Sequence, residues 1–123
     1  MKVAVIGSRN ACVDNLERYL GVEVTEIVSG GAKGIDTCAR QYALTHHIKL
    51  TEFLPDYARY GRGAPLRRNL QIIEYSDWVL AFWDGMSRGT RYVIEQCRKQ
   101  GKPVTVIDVC FLFAGRTRAS LPT

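Results

Sequence analysis

Three short apolar runs, Val3-Ala4-Val5-Ile6, Val79-Leu80-Ala81-Phe82 and Val104-Thr105-Val106-Ile107, are continuous rather than alternating and rich in β-branched residues. Runs of this kind predict strands covered on both faces, as in a parallel sheet. Val24 to Ser29 and Ile48 to Leu54 are two further strand candidates, the second alternating more and so suited to a sheet edge. Between the runs the period becomes helical. Ile35, Cys38, Ala39, Tyr42 and Ala43 fall at i, i+3, i+4, i+7 and i+8, and Thr90, Val93, Ile94 and Cys97 repeat the pattern. Shorter stripes run through Cys12, Leu16, Tyr19 and Leu20 and through Leu66, Leu70 and Ile73. Gly21 and Gly101 stand where helices should stop, and Pro103 follows the second of them.

Strands alternating with helices at this spacing imply right-handed crossovers and a parallel sheet. The expected fold is α/β: a Rossmann-like three-layer sandwich with a central five-stranded parallel sheet and helices on both faces. Such sheets bind ligands beyond the C-terminal ends of their strands, where strand order reverses. The functional question therefore narrows to the strand-to-helix loops. The longest irregular segment runs from Pro55 to Pro65 and carries Tyr57, Arg59, Tyr60 and Arg62; a loop of that length in a compact domain suggests function. Residues 1–109 read as the folded α/β domain. Residues 110–123 read as a tail whose Phe111-Leu112-Phe113 offers a partner surface.

Composition narrows the class without naming the chemistry. With 123 residues, 46% of them hydrophobic and 24% charged, the chain suits one globular domain and excludes disordered, collagenous and repeat architectures. Seventeen Lys+Arg against twelve Asp+Glu leave +5, a bias toward anionic partners. Cys12, Cys38, Cys97 and Cys110 are far apart and unaccompanied by histidine, so they read as thiols in a reducing cytoplasm, with no metal and no cofactor expected. The first apolar run is too short for a signal peptide, and no stretch approaches the length of a membrane span. His46-His47 suits a helix end, and Trp78 and Trp83 suit the flanks of a buried strand.

The loops carry the chemistry. Ser29-Gly30-Gly31-Ala32-Lys33-Gly34-Ile35-Asp36 leaves a strand and enters a helix. Glycines there let the backbone approach a ligand, while free amides and the positive end of the helix favour a phosphate. The alternative is a tight turn whose amides Asp36 satisfies. Asp84-Gly85-Met86-Ser87-Arg88-Gly89-Thr90 makes a second such junction, in which Ser87 and Thr90 either clamp an oxygen-rich group or serve as helix caps. Gly7-Ser8-Arg9-Asn10 adds a hydroxyl and a guanidinium at the end of the first strand. Arg67-Arg68-Asn69, with Arg59 and Arg62 before it and Tyr57 and Tyr60 interleaved, fits either a nucleic-acid surface or a solvated face.

Taken in order, these loops resemble the SLOG superfamily. That group joins the Smf/DNA-processing protein A domain, the LONELY GUY phosphoribohydrolases and small stand-alone YspA-like proteins. The resemblance is carried by Gly7-Ser8-Arg9, the Ser29 to Asp36 loop, Arg68-Asn69 and the Asp84 to Thr90 loop, and it spans residues 1–109. The DNA-processing loop Ser-Gly-x-Ala-x-Gly-Ile-Asp is matched by Ser29, Gly30, Ala32, Gly34, Ile35 and Asp36. The resemblance implies binding of a nucleotide or nucleotide-derived ligand, and self-association as a dimer. In the LONELY GUY pattern a glutamate follows Gly-Thr by three positions, where this chain has Val93; Glu95 falls two residues late and turns away from the pocket.

Three functions follow. The first is nucleotide binding or sensing, with phosphate on the amides of Gly31 to Gly34 and of Gly89 to Thr90 and with Ser8, Arg9 and Arg68 as side-chain partners. The second is N-glycosidic hydrolysis of nucleoside monophosphates, with Asp36, Asp84 and Glu95 as the candidate acids. The third is single-stranded DNA or RNA binding through Arg59, Arg62, Arg67 and Arg68.

Overall fold

A computed structural model describes residues 1–9, 13, 15–21 and 23–109. The five strands are β1 (Lys2–Gly7), β2 (Glu26–Ser29), β3 (Lys49–Glu52), β4 (Trp78–Trp83) and β5 (Val104–Asp108). All neighbouring pairs are parallel, in the order β3-β2-β1-β4-β5. The helices are α1 (Ile35–Thr45), α2 (Tyr57–Tyr60), α3 (Ala64–Tyr75) and α4 (Arg88–Gln100), with 3-10 turns at Leu16–Arg18 and Gly61–Gly63. The Rossmann-like α/β layout read from the apolar runs is therefore the observed one.

Side chains on a strand alternate between the two faces of its sheet, and that alternation divides the interior. Val3 and Val5 of β1 join Ile35, Ala39 and Ala43 of α1 in one core. Ala4 and Ile6 join Ile72 and Ile73 of α3 and Val93, Ile94 and Cys97 of α4 in a second. Strands with a core on each side read as continuous apolar runs, which is why β1 and β4 were legible. Phe82, fully buried, anchors the first core with its ring edge-on to Tyr19 at 5.2 Å. A side chain of that size contributes roughly 1.5–3 kcal/mol by leaving water.

Capping fixes where α4 begins and ends. Ser87 is its N-cap, its side chain accepting from the Thr90 amide, and Gly101 closes it in the left-handed conformation. His46 stacks on Tyr42 at 4.0 Å at the end of α1, as a helix-terminal histidine rather than a ligand.

The structure corrects several local expectations. The Pro55 to Pro65 segment is not irregular: it holds α2, the second 3-10 turn and the first residues of α3. Asp56 starts this unit by accepting the Arg59 amide at 3.1 Å, an N-cap signal masked by the glycines that follow. Leu66 is exposed, and the buried face of α3 is set by Ala64, Ile72 and Ile73 instead. Cys38 is disulfide-bonded rather than a thiol, whereas Cys97 is free and buried. Cys12, Asn10 and the Cys110 to Thr123 tail, with its Phe111-Leu112-Phe113, also lie outside the described residues. Among the described residues, no helix is long and apolar enough to cross a membrane.

The chain builds β1, β2 and β3 outward in one direction, then crosses to β4 and β5 on the other side of β1. Strand order thus reverses between β1 and β4, and the loops after those two strands part there to leave a crevice.

Candidate functional site

A cavity of about 490 Å³ opens at that switch point. Ser8 and Arg9 enter it from the end of β1, and Gly30, Ala32 and Asp36 from the turn into α1. Arg68 and Asn69 come from α3, while Asp84, Ser87, Gly89 and Thr90 come from the turn into α4. Every loop singled out in the sequence thus sends residues to one place.

Gly7 explains how β1 and α1 come so close. A Cβ there would lie 2.6 Å from the Phe82 carbonyl oxygen and 2.7 Å from Ile35 Cγ1. Gly34, the N-cap of α1, has φ +74° and ψ −122°, and a Cβ there would lie 2.3 Å from the Arg9 carbonyl oxygen. The turn carrying Ser8 and Arg9 therefore rests on a glycine that no other residue can replace without movement.

The two glycine-bearing turns differ chemically. In the α1 turn the Ala32 amide donates to Asp36 Oδ2 at 3.0 Å and the Gly31 amide to Ser29 Oγ at 3.2 Å. Burial pushes the Asp36 carboxyl above its usual range, and Glu52 adds to that. The Ala32 and Gly30 amides and the Arg68 guanidinium work against it. Arg68 donates from Nη1 to the Gly30 carbonyl at 2.7 Å and from Nε to Asn69 Oδ1 at 2.8 Å. Burial draws the Arg68 pKa down and neighbouring Asp36 draws it back up; as an arginine it stays a cation.

In the α4 turn Asp84 Oδ1 accepts from the Met86 and Ser87 amides, both at 2.8 Å. Those amides hold its carboxyl below the usual range, with the Ser8 hydroxyl adding to the effect, so Asp84 is an anion at neutral pH. Ser87 Oγ donates to Thr90 Oγ1 at 3.2 Å, leaving the Thr90 hydroxyl proton available. Trp83 braces the turn by donating from Nε1 to the Ser87 carbonyl at 3.0 Å. Beside Gly89 there is open space: a Cβ would meet nothing within 4 Å. Ser8 Oγ, on a residue only 3% exposed, has no partner at full hydrogen-bond geometry, although it stands close enough to the Asp84 carboxylate to help hold that group's pKa down.

Several expected site residues lie elsewhere. Ser29 is fully buried beneath its turn, Gly31 backs onto Leu54, and Lys33 is exposed; none of them lines the cavity, nor does Gly34. Glu95 is exposed and away from the cavity. The apolar wall was missed in the sequence: Ile6, Pro65, Ile72, Met86 and Val93. Pro65, Arg68, Asn69 and Ile72 stand at i, i+3, i+4 and i+7, so one face of α3 could have been read as the wall. Val93, at the position of the LONELY GUY glutamate, presents an apolar surface instead.

A parallel five-stranded sheet with a cleft at its switch point, entered by these particular turns, defines a Rossmann-like α/β protein. Known sequences agree. The family model of DNA recombination-mediator protein A matches residues 1–60. The chain is also 32% identical over 84 residues to the "Gene 61 protein" of Mycobacterium phage D29, covering 63% of this chain and 67% of that protein. The chain belongs to the SLOG superfamily. No solved structure matches it.

Proposed function

We propose that the cavity binds a nucleotide or a nucleotide-derived ligand, with a phosphate seated between Ser8 and the start of α4. The observation that carries this reading is the Ser8 hydroxyl, buried at the cavity beside Asp84 and without a partner at full hydrogen-bond geometry. A buried polar group left unpaired costs about 1–3 kcal/mol. A phosphate oxygen would relieve that cost, and the positive end of the thirteen-residue α4 would favour its charge. Gly89 leaves room for the group, the Thr90 hydroxyl can donate to it, and Arg9 stands at the mouth. Asp84, ionised and inside the cavity, suits a ribose hydroxyl.

A second reading places that nucleotide within a nucleic-acid strand, as the description of the matching family suggests. The supporting observation is Tyr60, whose ring is flanked by the guanidinium carbons of Arg59 at 5.2 Å and Arg67 at 5.1 Å, with Tyr57 exposed nearby. Rings and cations so arranged can stack bases and pair phosphates. Hydrolysis has less support, because Val93 stands where an acid would be needed and Glu95 is outside the cavity.

Thermal unfolding with adenosine monophosphate, cyclic nucleotides and ADP-ribose tests the first reading. Ligand at a hundredfold excess over Kd should stabilise the fold by about 2.7 kcal/mol. Gly89→Leu, which enters open space, should keep the fold and abolish the shift. Gly31 is the poorer probe, since its φ of +69° and Leu54 penalise any side chain. No stabilisation of the wild type by any of these ligands overturns the reading. For the second, binding of a labelled oligonucleotide should weaken steeply with salt and with Arg67→Ala.

A further inference from the structure

The two glycine-bearing turns look equivalent in the sequence and are not equivalent in the fold. We infer that the Asp36 carboxylate is a built-in anion filling the amide cradle of the α1 turn, so that the site accepts a ligand with one phosphate group and gains nothing from a second. This rests on the nucleotide reading above and deepens it.

In a phosphate-binding glycine turn, successive N–H groups face an empty concavity that the ligand fills. Here the Ala32 amide is bound by Asp36 Oδ2 at 3.0 Å, the Gly30 amide also faces that carboxylate, and the Gly31 amide is bound by Ser29 Oγ. The nearest cation is committed too: Arg68 Nη1 donates to the carbonyls of Gly30 at 2.7 Å and Phe53 at 3.3 Å. The turn is also closely packed on the side its side chain would take. A Cβ on Gly30 would lie 2.5 Å from Arg68 Nη1 and 3.1 Å from Asp36 Oδ2. An incoming phosphate would have to displace Asp36 and then share the turn with its charge, which at these distances is repulsive.

The α4 side is the opposite case. The turn's own carboxylate, Asp84, accepts from the Met86 and Ser87 amides, which precede the first residue of α4. Gly89 faces open space, and the unpartnered Ser8 hydroxyl lies in the same cavity. With the α1 turn filled, the cavity seats one phosphate group, so a nucleoside diphosphate or dinucleotide gains nothing over a nucleoside monophosphate. The second phosphate of those larger ligands would extend from the cavity without a partner.

Calorimetric titration with adenosine monophosphate and adenosine diphosphate tests this in the wild type and in Asp36→Asn. The wild type should bind the two within about threefold of each other. Asp36→Asn, which removes the resident charge at nearly constant shape, should favour the diphosphate by tenfold or more. Diphosphate bound tenfold tighter by the wild type, or an unchanged ratio in the variant, overturns the inference. Amide NMR of the wild type gives a second readout should the variant not fold. Adenosine monophosphate should shift the Gly89 and Ser8 resonances and leave those of Gly30 and Ala32 in place; shifts of Gly30 and Ala32 as large as those of Gly89 overturn it. If neither nucleotide binds and no resonance moves, the nucleotide reading itself fails, which is a different result from either of these.

Discussion

Replacing Gly34 by alanine should cost about 2–6 kcal/mol of folding stability, and the reasons separate cleanly. At φ +74° and ψ −122° the residue sits outside the region open to side chains, a penalty of roughly 1–3 kcal/mol. The new Cβ would also stand 2.3 Å from the Arg9 carbonyl oxygen and 2.7 Å from that of Ser8, both backbone atoms. Overpacking of that kind adds about 1–3 kcal/mol. Gly85→Ala is the matched control: φ is +85° but nothing lies within 4 Å of its Cβ, so only the conformational penalty applies. Urea unfolding of the wild type and both variants, with m compared to check that the denatured states are alike, gives the difference directly. Gly34→Ala should fall below Gly85→Ala by at least about 1 kcal/mol, the lower end of the overpacking cost. Equal losses in the two variants would refute the claim that the Ser8–Arg9 turn is seated on Gly34.

Other perturbations follow from individual side chains. Ser8→Ala should leave the ligand-free protein as stable as wild type, or more stable by up to about 1 kcal/mol, because it removes an unpaired buried hydroxyl; nucleotide affinity should fall about tenfold, and a clear loss of unliganded stability would count against the assignment. Burial raises the pKa of Glu26, but hydrogen bonds from Thr51 and Tyr75, both at 2.5 Å, and the charges of Lys49 and Lys2 outweigh it, so the folded value lies below the ordinary 4.5. Its contribution is therefore present above pH 4.5 and lost as pH falls through the lower folded value, and Glu26→Gln should flatten that acid limb in melts taken against pH. Asp36 has the opposite sign, with a folded value above the ordinary 3.8. Its protonated form favours the fold at low pH, that advantage is lost as pH rises through the folded value, and Asp36→Asn should remove this slope. Arg68→Met, which strands the Gly30 and Phe53 carbonyls and the buried Asp36, should cost about 2–4 kcal/mol in the same unfolding assay.

How far the chain was readable depends on how local each cause is. The runs at β1 and β4 announced themselves because residues such as Val5 and Ala81 need apolar neighbours whichever way they point, whereas β5, expected to be covered on both faces, is an edge strand with Val106 exposed. The α2 segment was missed because its cue, Asp56 capping Arg59, is one hydrogen bond set against two glycines and a proline. Leu66 misled the reading of α3, because a leucine at helical spacing need not face the interior when Ala64, Ile72 and Ile73 already do. At the site, the identity of the loops was legible and their division of labour was not. Whether Asp36 or a ligand satisfies the Ala32 amide depends on a helical carboxylate folding back over its own turn, a geometry that spacing allows but does not dictate. The apolar wall was invisible for a related reason: Ile72 and Val93 serve the core and the cavity with the same side chain.

A crystal structure determined with adenosine monophosphate bears most directly on the account. Its phosphate should lie within hydrogen-bonding distance of Ser8 Oγ and the Gly89 amide, with Asp36 still bound to Ala32. A phosphate resting on the Gly30 to Ala32 turn, with Asp36 swung aside, would contradict it.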